Sequence, residues 1–346
     1  MVPIRRQATG DVRLDASSIT TAKGGGCDPS EPGPGRGVLI ALATFAGMPD
    51  GTADDLLAAD RVAARCGASV EPVVWNAPSV SWGEYAAVLV RSTWDYHRCA
   101  DEFMTWAAAV EAAGTPLWNP ASVIRWNADK RYLAELERAG VPIVPTEWIA
   151  RGGEAELGPV LERRGWPEAV VKPSVGATSY RTHRVRAEDP ADHADLLRVV
   201  AADSDALVQP FMREVSRDGE WSFIFFDDGV GALAYSHAVL KRPGQQDFRV
   251  QPEFGGIAQV QQPPASLVAA VIESASIIAR LAPDRLLYAR LDGVVSDGTH
   301  APAGTFVLME AELIEPMLFF GDSESARDRF AEAVARKLAL AGVASP

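Results

Sequence analysis

The chain is predicted to be α/β: a small open unit built on a parallel sheet, followed by two α+β lobes. Three observations lead there. Short apolar runs alternate with helix-spaced segments through the first third, which argues for parallel strands joined by helical crossovers. Beyond residue 125 the strands come in closely spaced groups with helices between them. The 346-residue length, with 47% hydrophobic and 23% charged residues, suits a globular protein of two or three packed parts rather than one small domain.

Residues 1–36 read as a tail. The stretch Gly24–Gly35 is dense in Gly and Pro and has no hydrophobic period, so it cannot bury a core. Met1–Thr9 carries Arg5 and Arg6 with no apolar segment behind them, so no secretory signal is expected. Order is expected from Val38–Leu42, a buried strand, followed by a helix over 53–66. Strands at 70–75 and 86–90 and a helix over 100–113, stopped by Gly114, complete the first unit, 37–125.

A central lobe is expected over 126–213. A helix opens at Asn127–Lys130 and runs to Ala139, where Gly140, Pro142 and Pro145 end it. A helix near 155–164, strands at 169–172 and 181–186, a helix over 189–202 and a strand at 206–211 follow. The last lobe, 214–346, has strands at 220–227 and 230–239 and a helix over 265–281. Strands at 286–295 and 304–313, linked by a hairpin turn over 296–305, and a helix over 323–340 close it. There is no internal repeat.

Composition excludes some functions. No apolar run reaches the roughly 20 residues of a membrane span. The net charge of −13, with scattered basic residues, argues against nucleic-acid binding, which needs a basic surface. Cys27, Cys66 and Cys99 have neither metal nor disulfide spacing and read as structural or exposed. A cytoplasmic location is the default expectation, and a homodimer the default assembly.

Four segments can carry chemistry. In Val170–Ser179 an apolar strand delivers Lys172, and a loop of small residues follows. Backbone N–H groups of such a loop can approach phosphate oxygens and close as a lid. A plain hairpin with a surface lysine competes with this reading, since turns favour the same residues. In the last lobe, Arg290 and Asp292 share one strand face, and Glu310 and Glu312 share another. Carboxylates set among Leu308, Ala311 and Leu313 repel unless a cation joins them, which suits Mg²⁺ bridging phosphates, with Arg290 neutralising the transferred group. A solvated face with an Arg–Glu pair is the alternative. In Ala206–Glu214 a strand ends at Gln209-Pro210, and its backbone can read an adenine edge with a carboxylate beyond for ribose; an inter-domain linker has the same pattern. Arg91-Ser92-Thr93-Trp94-Asp95-Tyr96-His97 follows the third strand at the sheet end where ligands gather; a surface loop capped by Asp95 is equally consistent.

Taken in order, Asn127–Lys130, Val171-Lys172-Pro173, Gln209-Pro210-Phe211, Gly219–Ser222, Arg290-Leu291-Asp292 and Glu310-Ala311-Glu312 resemble the ATP-grasp superfamily. The likeness is to its glutathione synthetase and ribosomal-protein glutamate ligase branch and covers roughly 38–343. The resemblance implies the ATP-grasp fold, with the two lobes sandwiching the nucleotide, and an ATP- and Mg²⁺-dependent, ADP-forming carboxylate–amine ligase. It implies ATP-phosphate contacts from Lys130 and Lys172. It places adenine along Gln209, Pro210, Phe211 and Met212, ribose at Glu214, and Glu220 in the nucleotide pocket. Asp292, Glu310 and Glu312 would hold Mg²⁺, two ions in this superfamily, with Mn²⁺ able to substitute. Arg290 and Lys172 are the implied catalytic pair. Glu312 departs from the pattern, since relatives often have Asn there.

The segments Ser236–Lys241, Asp247–Gln251 and Gly255-Gly256 look like an acceptor-substrate region, with Arg249 as a carboxylate clamp and the two glycines as N–H donors. His237 could act there as a base, but a lone strand histidine is more often a hydrogen-bonded structural one. Ser92–His97 is similar to a loop of an actinobacterial subgroup that includes a cyclo-ligase closing O-ureido-D-serine to cycloserine. Arg91, Ser92, Thr93, Trp94, Asp95, Arg249, Gly255 and Gly256 are thus the expected substrate contacts, for a small amino-acid-like molecule of amino-acid or natural-product biosynthesis. A small-molecule kinase on the same fold and a non-catalytic nucleotide-binding module are the competing functions.

Overall fold

The computed structural model describes residues 37–343 except 154, 177–179, 190–192, 194, 245–248, 251–254 and 322. The tail with Cys27, the tip of the loop after Lys172, and Asp247, Phe248 and Gln251 therefore lie outside the described residues.

The first unit contains β1 (Leu39–Thr44), α1 (Ala53–Cys66), β2 (Ser69–Val74), β3 (Ala87–Ser92), α2 (Ala100–Ala112) and β4 (Leu117–Trp118). The strands form a parallel sheet in the order β2-β1-β3-β4. Helix α1 starts where the Thr52 hydroxyl accepts the Asp55 N–H and Asp55 reaches back to Thr52, a reciprocal cap. It stops at Gly67, left-handed at φ 60°. Ile40 and Leu89 pack with Val62 of α1 on one face of the sheet. On the other, Ala41, Val88 and Val90 pack with Phe103, Trp106 and Val110 of α2. This split follows from the two-residue period of a strand.

Next come α3 (Ala121–Asn127), α4 (Tyr132–Arg138), β5 (Glu147–Ile149), α5 (Leu157–Arg164), β6 (Glu168–Pro173), β7 (His183–Arg186), α6 (Leu196–Val200) and β8 (Ala206–Pro210). Of the helix expected over 127–139 only α4 forms; Asn127 instead ends α3, and a bend over 128–131 separates the two helices. The Lys130 N–H leaves the helical ladder to donate to Ser174 O at 2.8 Å, and Asp129 bridges Val175. Of the helix expected over 189–202, the described residues show only α6. The strands form an antiparallel sheet, β5-β8-β6-β7, over a core of Leu157, Val160, Leu161, Val171 and Val208.

The last part contains α7 (Glu214–Arg217), β9 (Glu220–Asp227), β10 (Leu233–Arg242), β11 (Ile257–Val260), α8 (Ala265–Leu281), β12 (Tyr288–Val295), β13 (Phe306–Glu312) and α9 (Glu324–Leu340). Its antiparallel sheet runs β11-β10-β9-β12-β13. Helix α8 and helix α4 share a core with Phe223, Phe225, Leu291 and Leu308. Helix α9 returns to the first unit, where Phe330, Val334 and Leu338 share a core with Ile40, Val62 and Leu89. Residues 296–305 form the expected turn, closed by Ser296 N–H to Thr305 O and Gly304 N–H to Ser296 O.

Two close approaches set the register of the chemistry-bearing strands. A Cβ on Gly219 (φ 101°) would lie 2.8 Å from Lys241 O, and this glycine lets Glu220 sit opposite Lys241. A Cβ on Gly293 would lie 2.4 Å from Val307 O. There the β12–β13 register shifts, so Asp292 faces Glu310 and Gly293 faces Leu308. The bulged residue, Met309, then lines the same cavity as Glu310, against simple strand alternation.

Candidate active site

A cavity lies between the sheet that carries Lys172 and the sheet that carries Arg290. The end of β6 supplies Lys172, and β8 with the turn after it supplies Gln209, Pro210, Phe211 and Met212. Strands β9, β10, β12 and β13 contribute Glu220, Lys241, Arg290, Asp292, Glu310 and Glu312. Lys130, Trp94 and Arg249 complete the predicted residues that the fold brings together.

Charges on the β9–β13 side are interlocked. Lys241 Nζ is 2.5 Å from Glu220 Oε1 and 3.0 Å from Asp292 Oδ2. Arg290 pairs with Asp292 (Nη2–Oδ2 2.9 Å) and with Glu312. Ser222 Oγ–H donates to Asp292 at 2.6 Å. Burial alone would raise the Asp292 carboxyl, yet Arg290 and Lys241 hold it well below the usual carboxylate range. Glu310 is 3.0 Å from Lys130 Nζ, which also donates to Gly176 O at 2.6 Å. Burial opposes the charged form of Glu310 too, but Lys130 and Lys172 outweigh it and lower its pKa. Glu312 is pushed up to about 7 by burial, with Asp292 and Glu310 opposing the benefit of Arg290. Across the cavity, burial lowers the pKa of Lys172, and among the described residues no hydrogen bond or ion pair reaches its Nζ.

Several predicted residues do not reach the cavity. Arg91 and Ser92 end β3 and are 2% and 1% exposed. Arg91 pairs with Asp55 (3.0 Å), donates to Pro316 O (2.8 Å) and lies over the Tyr288 ring, so its charge is already spent inside the protein. Thr93 is fully buried, and Asp95 accepts the Trp75 indole N–H at 2.9 Å. Glu214, 1% exposed at the start of α7, accepts the Asp297 N–H and is turned away from the nucleotide side. Gly255 and Gly256 precede β11 outside the cavity lining, although Ala258 of β11 lines it.

The structure also brings in residues that sequence reasoning did not assign. Lys241 stood within a quoted segment, and its alternation in β10 was the available signal. Asn127 and Glu315 line the cavity as well, as does Tyr96 of the quoted 91–97 segment. Glu315 belongs to a strap, 313–318, whose six consecutive carbonyls each accept a side-chain hydrogen bond. The donors are Asn119 to Leu313 O (2.6 Å), Tyr288 to Ile314 O (2.8 Å), Trp94 to Glu315 O (3.2 Å), Arg91 to Pro316 O, Arg290 to Met317 O (3.0 Å) and His237 to Leu318 O (2.9 Å). Burial lowers His237 to about 4, so its ring is a neutral strap-holder, as the structural reading expected. Glu315 is pushed up to about 8 by burial, reinforced by Glu312 and Glu310.

Known proteins resemble this chain in sequence and fold. Residues 40–119 match the family model for the N-terminal domain of the D-cycloserine synthetase DcsG. Over 283 residues, 79% of this chain and 90% of the relative, the chain is 33% identical to the cycloserine biosynthesis protein DcsG of Streptomyces lavendulae. The chain belongs to the DcsG family. The crystal structure of D-cycloserine synthetase DcsG superposes with a TM-score of 0.73 at 30% identity, covering 87% of this chain and 99% of that one. The fold extends to a D-alanine–D-alanine ligase from Bacillus anthracis (TM-score 0.61, 16% identity, 88% and 97% covered). It also extends to a RimK-domain ATP-grasp protein from Sphaerobacter thermophilus (0.58, 19%, 86% and 99%). The fold is ATP-grasp, and this DcsG-family member is an ATP-dependent carboxylate–amine ligase. Among the described residues no helix is long and apolar enough to cross a membrane.

The donor chemistry fits a divalent cation of the Mg²⁺ kind. Asp292 and Glu310 are cross-strand partners, and the elevated Glu312 marks surplus negative charge that a cation relieves. Among the described residues no three acidic, His or Cys side chains form a closed cage. Mg²⁺ does not need one, since it commonly takes one or two carboxylates and completes its shell with phosphate oxygens and water.

Proposed function

We propose that this ligase binds Mg-ATP between the β6–β8 and β9–β13 walls, converts the carboxylate of a small amino acid to an acyl-phosphate, and closes a ring within that molecule. The substrate class is O-ureido-D-serine or a close analogue, the substrate of the cyclo-ligase that the Ser92–His97 loop resembles, in keeping with the D-cycloserine synthetase name of the relatives. The observation that carries the nucleotide reading is Lys172: a half-buried cation with no counter-charge within bonding distance among the described residues, facing strands β9–β13 whose charges are paired. A phosphate group supplies the missing charge.

The backbone along Gln209–Met212 offers adenine its edge. Gln209 is fixed by its side-chain bond to Thr146 (2.9 Å), and the Arg184 guanidinium lies 3.8 Å over the Phe211 ring. Glu220 faces the nucleotide side. Lys130 and Lys172 take phosphate oxygens. Asp292, Glu310 and Glu312 would hold two Mg²⁺ ions, with Mn²⁺ able to substitute, which when bound neutralise phosphate charge. Arg290, locked by two carboxylates and Met317 O, presents a fixed guanidinium to the group in transfer. The substrate carboxylate attacks the γ-phosphorus, ADP leaves, and a substrate nitrogen then attacks the acyl carbon and expels phosphate. Positioning and charge neutralisation account for the protein's part.

Purified protein with Mg-ATP and a panel of amino acids including O-ureido-D-serine tests this. Carboxylate-dependent ADP release, with mass spectrometry showing a cyclised product, is the expected result. Calorimetric ATP binding without stimulated release from any amino acid would favour a nucleotide-binding module instead.

A further inference from the structure

Glu220, Asp292, Glu310 and Glu312 each have a lysine or arginine within ion-pair distance. Glu315 lines the same cavity, and among the described residues no cation or hydrogen-bond donor reaches its carboxyl group. A carboxyl group left without a counter-charge in a half-buried position is costly unless it is protonated or a ligand brings the cation.

Its surroundings select the kind of cation. Trp94 lines the cavity and fastens to Glu315 O through its indole N–H. Tyr96 lines it too and lies close enough for the Glu315 charge to add to burial in raising its phenol pKa. A carboxylate in a cavity also lined by two aromatic side chains suits an organic ammonium, which donates a charge-assisted hydrogen bond to the carboxylate and is favoured next to aromatic rings. The strap fixes this position, because the carbonyls on both sides of Glu315 are held by Tyr288 and Arg91.

We propose that Glu315, with Trp94 and Tyr96, is the subsite for the α-ammonium group of the amino-acid substrate. This rests on the amino-acid ligase reading above and goes beyond it, by naming which substrate group is read and where. It also gives the subsite a chemical consequence. An α-nitrogen kept as ammonium against a carboxylate has no lone pair to offer, so the nitrogen that attacks the acyl carbon comes from the ureido group.

The test is calorimetric binding, with Mg²⁺ and a non-hydrolysable ATP analogue present, of O-ureido-D-serine and of its des-amino counterpart. The wild-type protein is expected to prefer the ammonium-bearing ligand by about 10- to 100-fold, the range of one charge-assisted hydrogen bond. Glu315→Gln should bring the two ligands within about 3-fold of each other by weakening only the ammonium-bearing one. Glu315→Asp should restore part of the preference. Affinity for the ATP analogue should stay unchanged in both variants, which also shows that they fold. An unaltered preference in Glu315→Gln, an equal loss for both ligands, or no preference in the wild type would each overturn the subsite. Turnover is scored separately: absent ADP release from wild-type protein counts against the ligase reading, while the binding preference is still read.

Discussion

The two walls of the cavity handle charge in opposite ways. On the β9–β13 wall, Glu220, Lys241, Asp292, Arg290 and Glu312 form an unbroken alternation of sign across neighbouring strands. On the β6–β8 wall, Lys172 stands at a strand end with no partner in bonding distance among the described residues. The difference separates two jobs. Paired charges fix geometry before any ligand arrives, and each depends on its partner for stability. An unpaired charge costs stability, and only a ligand's charge relieves it.

Substituting one residue from each wall should break the comparison most sharply. Arg290→Met should abolish measurable ADP release and also lower stability by about 3–5 kcal/mol, because it leaves Asp292 and Glu312 short of a counter-charge in a buried setting. Chemical denaturation alongside the activity assay reads both losses. Lys172→Met should cut kcat by about 10²–10³-fold, as for loss of one preorganised electrostatic group. Its thermal midpoint should hold or rise, since a desolvated ammonium is removed. A Lys172→Met protein that melts well below wild type would show that the lysine is paired after all.

A smaller effect tests the strap. His237 is held neutral with a pKa near 4, below the usual histidine value of about 6.5. Between those values the unfolded chain binds more protons than the folded one, so stability falls as pH drops through that window. Wild-type protein should lose on the order of 1–2 kcal/mol from this group between pH 7 and pH 5. Urea midpoints of His237→Asn should lack that share of the slope. The smallest effect belongs to Glu214→Gln. Because the Glu214 side chain is buried against Asp297, the KM for ATP should stay within about 2-fold of wild type. A tenfold rise would return Glu214 to the ribose.

The parts that sequence reading reached have a common property: their signal is local. Helix α8 follows from one amphipathic stretch and one proline. Lys172, Arg290–Asp292 and Glu310–Glu312 follow from residue types at fixed strand spacing, and the fold brings all five to the cavity. The bend at Lys130 was not legible, because it depends on Ser174 O, a partner on another strand. Arg91 was an expected substrate contact because its segment follows the third strand at the sheet end where ligands gather. Its true partners, Asp55 and Pro316, lie 36 and 225 residues away. Glu315 went unassigned for the same reason. Nothing within its own segment announces that Trp94 will hold its carbonyl or Tyr288 the one before it, and only the assembled chain shows a carboxyl group with no partner among the described residues.

The six held carbonyls of 313–318 have one more consequence. All six of these side-chain bonds end on main-chain oxygens, and none of them uses the side chains at 315 and 317. The path of the backbone is therefore largely independent of which residues occupy those two positions. Such a segment works as a fixed socket with exchangeable fittings. A change at position 315 can alter what the pocket accepts without a compensating change elsewhere, so related enzymes can diverge in substrate while keeping the same scaffold.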